Sequence, residues 1–262
     1  MRVKIDYTKN AQQNANAYYE NAKKLVKKKE GAIRAIRDLE AKLKKLEAGE
    51  ALKKTRFIVK RTDIKWYEKF HWFYTSSNML CIAGKSAQQN ELINGKYFLE
   101  GDLFFHADIF GAPLTLLKDG EIAKFEDKEE VAQFAASYSS AWKNNMSAVD
   151  VYALKREQIS KSTQSGSVGT GGFVMKGERE WFKSTPLGLI MYLKDGMLQV
   201  ITLATFARSS EIKKLRYVEL QIGNEKKSDA AKRIAKHIGF DDYDQIIQQL
   251  PAGNFKVKLS KI

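Results

Sequence analysis

Trp66-Tyr-Glu-Lys-Phe-His-Trp-Phe-Tyr74, followed after a polar turn by Met79-Leu-Cys-Ile-Ala83, is where the pattern of this sequence changes. Upstream, apolar residues recur at alternating steps of three and four over a long stretch. Downstream, they come in short bursts separated by turn residues. The nine aromatic-rich residues read as the entrance to a folded body, and Met79–Ala83 reads as a buried strand. Trp66, Phe70, Trp72 and Phe73 are either core at that entrance or rings on which bases stack. A helical arm joined to a body of mixed short elements makes the fold class α+β.

The body continues in the same style. Ser86-Ala-Gln-Gln89 has the spacing of a capping box and opens a helix to about Tyr97. Asp102-Leu-Phe-Phe-His106 and Pro113-Leu-Thr-Leu-Leu117 read as consecutive strands, and Asp127 reads as the cap of an amphipathic helix carrying Val131, Phe134, Ala135, Tyr138 and Trp142. Val149–Leu154 and Gly172–Met175 are further strand candidates. Leu189–Leu193 and Leu198–Leu203 flank Asp195-Gly196, a strong hairpin signal. Tyr217–Ile222 reads as a strand, a helix from Ser228 is stopped by Gly239, and a short helix near Tyr243–Leu250 precedes a last strand, Phe255–Leu259. Strands and helices alternate without a βαβ rhythm, so a mixed-sheet domain is expected.

The arm is one sharp pattern. Ala15, Tyr18, Ala22, Leu25, Lys29, Ala32, Ile36, Leu39, Leu43 and Leu46 form a heptad seam with one basic defect at Lys29. Thr8 is a candidate N-cap, and Gly49 and Thr55 lie where the helix would stop. A single helix has nowhere to bury such a seam. It is either a solvated charged helix or one strand of a coiled coil whose mate is a second copy or another polypeptide. Leu25, Ala32, Ile36, Leu39, Leu43 and Leu46 are its interface residues.

The chain has 262 residues and a net charge of +14, and 44% of its residues are hydrophobic, enough for a real core. Residues 1–61 hold 18 Lys and Arg against seven Asp and Glu, a net of +11; the remaining residues carry only +3. A basic arm thus precedes a nearly neutral body, and the excess charge points to a polyanionic partner, most economically nucleic acid. Lys27, Lys28 and Lys29, with Lys23 and Lys24, could lie along phosphates or form a solvated face. The longest apolar run, Leu187–Leu193, is too short to span a bilayer, so no membrane is expected. One cysteine, Cys81, excludes an internal disulfide framework, and three scattered histidines offer no metal site. The expectation is a soluble cytoplasmic protein without metal or cofactor.

Motifs for catalysis are sparse. The glycines of the loop Ser160–Gly172 do not fit a Walker A pattern, although its backbone N–H groups, with Lys161 and Lys176 nearby, could still meet a phosphate. His106 and Asp108 lie two apart on a strand and are either a hydrogen-bonded structural pair or an acid–base couple without a nucleophile. Gln88, Gln89 and Asn90 concentrate amides at a helix start, where they either read RNA groups or form a polar capped face. His71, His237 and Cys81 are assigned no chemistry.

Several of these blocks are familiar together. The aromatic stretch 66–74, Gly84-Lys-Ser-Ala-Gln-Gln-Asn-Glu91, His106-Ala-Asp108 with Gly111-Ala112, and Gln158-Ile-Ser-Lys161 with Ser165-Gly166 resemble, in order and spacing, the NFACT-R domain. That domain is the C-terminal RNA-binding part of the NFACT proteins of ribosome-associated quality control. Val3-Lys-Ile-Asp6 and Asn14-Ala-Asn-Ala-Tyr-Tyr19 are similar to the tip and returning helix of the family's long coiled coil. Glu225-Lys-Lys-Ser-Asp229 through Leu250-Pro251 is similar to the tail of archaeal-type members. Two positions depart from the pattern: Phe110 stands where members commonly have a second histidine, and Ser167 stands where they have an acidic residue.

The resemblance implies a basic coiled-coil arm over 1–61, an NFACT-R-like domain over 62–190 and an α+β extension over 191–262. It implies binding to the large ribosomal subunit and tRNA, without catalysis, through Lys85, Gln88, Gln89, Asn90, His106, Asp108, Lys161, Gly166 and Lys176 together with Lys27, Lys28 and Lys29. It also implies a partner, the family's N-terminal half with its outgoing helix. Nothing in these residues resembles that half, so a shortened chain or one half of a split protein is expected. The competing reading is a protein scaffold that docks the missing half, or a second copy, and touches no RNA.

Overall fold

The computed structural model describes residues 4–53, 64–163, 166, 167, 169 and 172–260, with side chains for all of these except 42–53, 162, 163, 166 and 167. The chain divides into two units, residues 1–63 and 64–262.

In the first unit a turn closed by Lys9 N donating to Asp6 O at 3.1 Å leads into helix α1 (Ala11–Lys53), about 65 Å long at about 1.5 Å per residue. The expected N-cap is corrected. The Thr8 hydroxyl donates to Asp6 Oδ1 at 2.6 Å, and it is Asn10 that caps the helix: its Oδ1 accepts from Gln13 N at 2.8 Å, while Gln13 Oε1 accepts from Asn10 N at 3.1 Å. Asn14 ties the turn to the helix through Asp6 N and Asp6 O, at 2.8 and 2.9 Å. The helix passes Gly49 without stopping; Thr55 lies outside the described residues. Along the seam Leu25, Ile36 and Leu39 are exposed, as is Ala32, and Val26 and Ile33 widen the apolar stripe. The Leu43 and Leu46 side chains lie outside the described residues.

The second unit opens with β1 (His71–Tyr74), β2 (Leu80–Ala83) and α2 (Ala87–Leu92), which runs on as a π-helical turn to Tyr97. Next come β3 (Leu103–Ala107), β4 (Thr115–Leu117), α3 (Phe125–Ser137), α4 (Ser140–Lys143) and β5 (Ala148–Lys155). Short strands β6 (Ile159–Ser160), β7 (Ser162–Thr163), β8 (Gly166–Ser167) and β9 (Val174–Met175) build two ribbons, before β10 (Glu180–Pro186). The chain ends with β11 (Leu189–Lys194), β12 (Met197–Thr202), α5 (Leu203–Arg208), β13 (Tyr217–Glu225), α6 (Lys227–Ile238), α7 (Tyr243–Gln249) and β14 (Phe255–Leu259). The arrangement is α+β. A six-stranded sheet has the order β1-β2-β4-β3-β5-β10 and a four-stranded sheet the order β12-β11-β13-β14; among the described residues every strand pairing is antiparallel.

Alternation along the strands gives the large sheet two apolar faces. Phe73, Cys81, Leu103, Phe105, Val151 and Phe182 pack on its inner face against α3 and the second sheet. Ile82, Phe104, Leu116, Tyr152 and Leu154 form the outer face, roofed by Phe70, Ile93, Phe98 and Ile159. Helix α3 starts at Phe125 after Lys124, so Asp127 is not its cap; it lies buried in the first turn, where its Oδ1 accepts from Ser77 N at 3.2 Å. Three residues on, the buried carboxylate of Glu130 accepts from Ser76 N at 2.8 Å, from the Thr205 hydroxyl at 3.0 Å and from Arg208 at 3.1 Å. One side chain of α3 therefore binds the β1–β2 turn and α5 together. The division expected at 190/191 falls inside β11, whose Leu189, Ile190, Met191 and Tyr192 are all buried. The hairpin at Asp195-Gly196 forms with both residues at positive φ, 51° and 73°, as a type I′ turn requires. Gly239 ends α6 at φ 73°, and Leu203, read as strand, instead opens α5 behind the Thr202 cap.

Candidate nucleic-acid interface

The amide cluster at the start of α2 is mostly spent on the fold. Ser86 Oγ accepts from Gln89 N at 3.3 Å, the first half of a capping box. Gln89 does not close that box. Its Oε1 accepts from Lys85 N at 2.9 Å, and its Nε2 donates to Lys69 O at 3.2 Å. Asn90 Oδ1 accepts from Leu114 N at 3.2 Å, and it lies so close over Gly84 that a Cβ there would sit 2.0 Å away. Gln89 and Asn90 thus satisfy backbone groups that the strand ends leave open. Gln88 is exposed and can face a ligand.

Lys161 is also committed. Its ammonium pairs with the Glu91 carboxylate, donates to Gly172 O at 2.8 Å and lies 4.7 Å from the Phe173 ring centre. It clasps the glycine-rich loop to α2, and Gly172 N is taken by Gly169 O at 3.0 Å. At Gly169 and Gly172 the loop turns carbonyls toward a lysine, and the Gly172 N–H is not free to meet a phosphate. Gly166 pairs with Thr163 in the β7–β8 ribbon, and its neighbours 164, 165, 168, 170 and 171 lie outside the described residues. Lys176 is exposed at the end of β9.

Lys85 belongs to the other face. It is half-buried, burial pushes its pKa down, and its charge adds to the burial that holds His71 near 3. His71 lies on the inner face, its ring stacked 3.9 Å from Tyr138 and its Nδ1 paired with Gln249 Oε1 at 3.1 Å. Lys27, Lys28 and Lys29 are exposed on α1, in the first unit.

His106 stays on the outer face. Its Nδ1 meets the Tyr152 hydroxyl at 3.4 Å, while Asp108, exposed beyond the end of β3, acts on it only through its charge. Burial is the largest influence on this imidazole and lowers its pKa, so it is neutral at pH 7. The pair is not an acid–base couple built around a direct bond.

Two constellations were legible only in part, since the sequence pointed to Trp66 and His106 but not to their partners. The first lies at the domain entrance. Trp66, 43% exposed, stacks on Tyr97 at 4.4 Å and 11°, and Lys69 Nζ donates to Tyr97 Oη at 3.0 Å with Lys96 5.6 Å from the same ring. Phe70 and Phe73, by contrast, are fully buried. The second is a cross-strand row, with His106 opposite Tyr152 and Tyr152 opposite Trp181. Lys183 follows Trp181 by two residues on β10 and Arg179 precedes it by two, just before the strand, and both cations lie over the indole, at 3.8 and 5.7 Å. The alternation Arg-x-Trp-x-Lys was present in the sequence, but no strand was assigned to residues 180–186.

Residues 69–177 match the family model for the NFACT protein RNA binding domain. An archaeal Rqc2 homolog, aRqcH of Methanocaldococcus jannaschii, is 40% identical over 206 residues, covering 75% of this chain and 30% of its own length. The ribosome quality control complex subunit NEMF homolog of Drosophila melanogaster is 31% identical over 75% of the chain, and NEMF of Homo sapiens is 34% identical over 64%. The chain spans only 30%, 21% and 16% of the length of these three relatives. The α2 lock, the Lys161 clasp and the His106–Tyr152 pair all fall within the matched residues, and the chain belongs to the NFACT family, in its archaeal type.

Proposed function

We propose that this chain is the RNA- and ribosome-binding part of an NFACT-type ribosome quality control factor, acting on stalled nascent chains at the large subunit and contacting tRNA there. The observation that carries the reading is the match of residues 69–177 to an RNA binding domain in a chain whose first 61 residues hold a net +11. The arm supplies long-range attraction to phosphate, and the nearly neutral body supplies contacts of defined geometry. The chain works in the cytoplasm by binding, not by catalysis. A neutral His106 bonded to a tyrosine supports that role for the His-Ala-Asp block. The exposed stripe of Leu25, Ile36 and Leu39 takes a second helix, for which the family's N-terminal half is the fitting source.

The test is binding of labelled tRNA and of purified large subunits as salt is raised. If Lys23, Lys24, Lys27, Lys28 and Lys29 each neutralise one phosphate, log affinity falls with log salt at a slope of about −3.5 to −4.5, a loss of about 100- to 500-fold between about 50 and 200 mM. Reversing the charge of Lys27, Lys28 and Lys29 then flattens that slope by about two to three. Absence of binding to either RNA or subunits at low salt rejects the reading. The scaffold reading, favoured by the exposed stripe, takes its place if those reversals change nothing while capture of the N-terminal half persists.

A further inference from the structure

We propose that the row His106–Tyr152–Trp181 on the outer sheet face, flanked by Arg179 and Lys183, seats one unpaired base of single-stranded RNA on the Trp181 indole. This deepens the RNA-binding reading and rests on it. It also extends the site beyond residue 177, where the match to the RNA binding domain ends.

Trp181 stands on β10, the edge of the six-stranded sheet, and is 38% exposed. Its neighbour Tyr152 meets it in a T-shaped contact, with centroids 5.3 Å apart and planes at 64°, which fixes the indole edge-on, while the Arg179 guanidinium and the Lys183 ammonium lie over the ring at 5.7 and 3.8 Å. Tyr152 is itself held. Its hydroxyl donates to Met175 Sδ at 2.9 Å, and the Arg179 guanidinium lies 4.4 Å from its ring centre. The platform is therefore rigid before anything binds.

The cations around it suit a phosphate backbone. Lys183 Nζ sits 3.8 Å from the Trp181 centroid and 2.8 Å from the Asp150 carboxylate. That ion pair is well exposed, and such pairs are worth little in water, so a phosphate or base displaces the lysine at small cost. Arg179 is exposed and has no carboxylate partner among the described residues. At the same end of the sheet the exposed Asp108, whose N–H donates to Asp150 O at 2.8 Å, supplies an acceptor for a base's amino or imino group. A stacked base must leave its helix, so the ligand is single-stranded or looped RNA, and an A-form duplex does not reach the ring. A protein partner could also use Trp and Arg, but cations alternating with an aromatic ring in a row that begins inside an RNA binding domain favour RNA.

The experiment is fluorescence anisotropy of the whole chain with a short unstructured RNA and with a duplex of equal length, comparing wild type with Trp181→Ala, Trp181→Phe and Arg179→Ala. Trp181→Ala weakens single-strand binding by about 5- to 100-fold, and Trp181→Phe keeps most of it. Arg179→Ala flattens the salt slope by about one. Thermal melts of each variant separate loss of binding from loss of fold. If wild type binds the single strand and Trp181→Ala binds it equally well, the stacking site is refuted while the RNA-binding reading stands. If Trp181→Ala keeps RNA but loses capture of the N-terminal half, the row is a protein surface and the inference falls. If wild type binds no RNA of either kind, the underlying reading itself fails.

Discussion

Acidification from pH 7 to pH 5 destabilises the second unit chiefly through His71. Its ring is buried between the sheet and Tyr138, and the charges of Lys85 and Lys227 add to the burial that lowers its pKa to about 3; the bond to Gln249 opposes them and loses. The unfolded chain takes up this proton near the ordinary value of 6.5, whereas the folded chain refuses it until about 3. Stability is therefore complete above about pH 6.5 and falls steadily as pH drops toward 3. At pH 5 the loss is about 1.5 pH units at about 1.4 kcal/mol each, or about 2 kcal/mol. For a unit of this size that is a drop in Tm of about 4–8 °C. Asp127 and Asp150, whose pKa values are lowered, weaken the fold only at pH below the ordinary carboxylate range, so working above about pH 4.5 keeps them out. The assay is urea unfolding at pH 7 and 5 for wild type and for His71→Asn, whose amide can still donate to Gln249. His106, also lowered by burial, leaves the variant a residual dependence of the same sign. The reasoning is refuted if wild type and His71→Asn lose the same stability between the two pH values.

Three further outcomes are expected. Asn90→Ala strips the acceptor from Leu114 N and costs about 1–3 kcal/mol in urea unfolding, while Gly84→Ala drives a methyl into Asn90 and costs more. Lys161→Met releases the clasp on Glu91 and Gly172, so amide exchange rises across the loop 159–177 while Tm shifts by only a few degrees. Leu39→Glu places a charge on the exposed seam; sedimentation then shows less self-association or less capture of the N-terminal half, with the melting of the second unit unchanged.

The α1 helix, the capped α2, the Asp195-Gly196 hairpin and the Gly239 stop were legible because each depends on residues a few positions apart. Heptad spacing, a serine three before a glutamine, and a turn residue that tolerates positive φ act within one or two turns of chain. The same local reasoning misplaced the caps at Thr8 and Asp127, because polar side chains there had better partners than the nearest helix end. The boundary at 190/191 falls inside β11, and Glu130 with that buried strand joins the two stretches through contacts that no local pattern announces.

By itself the sequence determined the class α+β and the concentration of charge on the arm, which are properties of composition and short-range spacing, while the family was legible only as the resemblance of several motif blocks in order. Only the tertiary structure decided which polar residues are left for a ligand. Asn90 is spent on Leu114, 24 residues away, because a buried backbone N–H without a partner costs more than a surface contact returns, and Lys161 is spent on the half-buried Glu91, 70 residues away. It also decided that His106, Tyr152 and Trp181 stand in one row, since strand register, not sequence proximity, brings three distant segments onto one face.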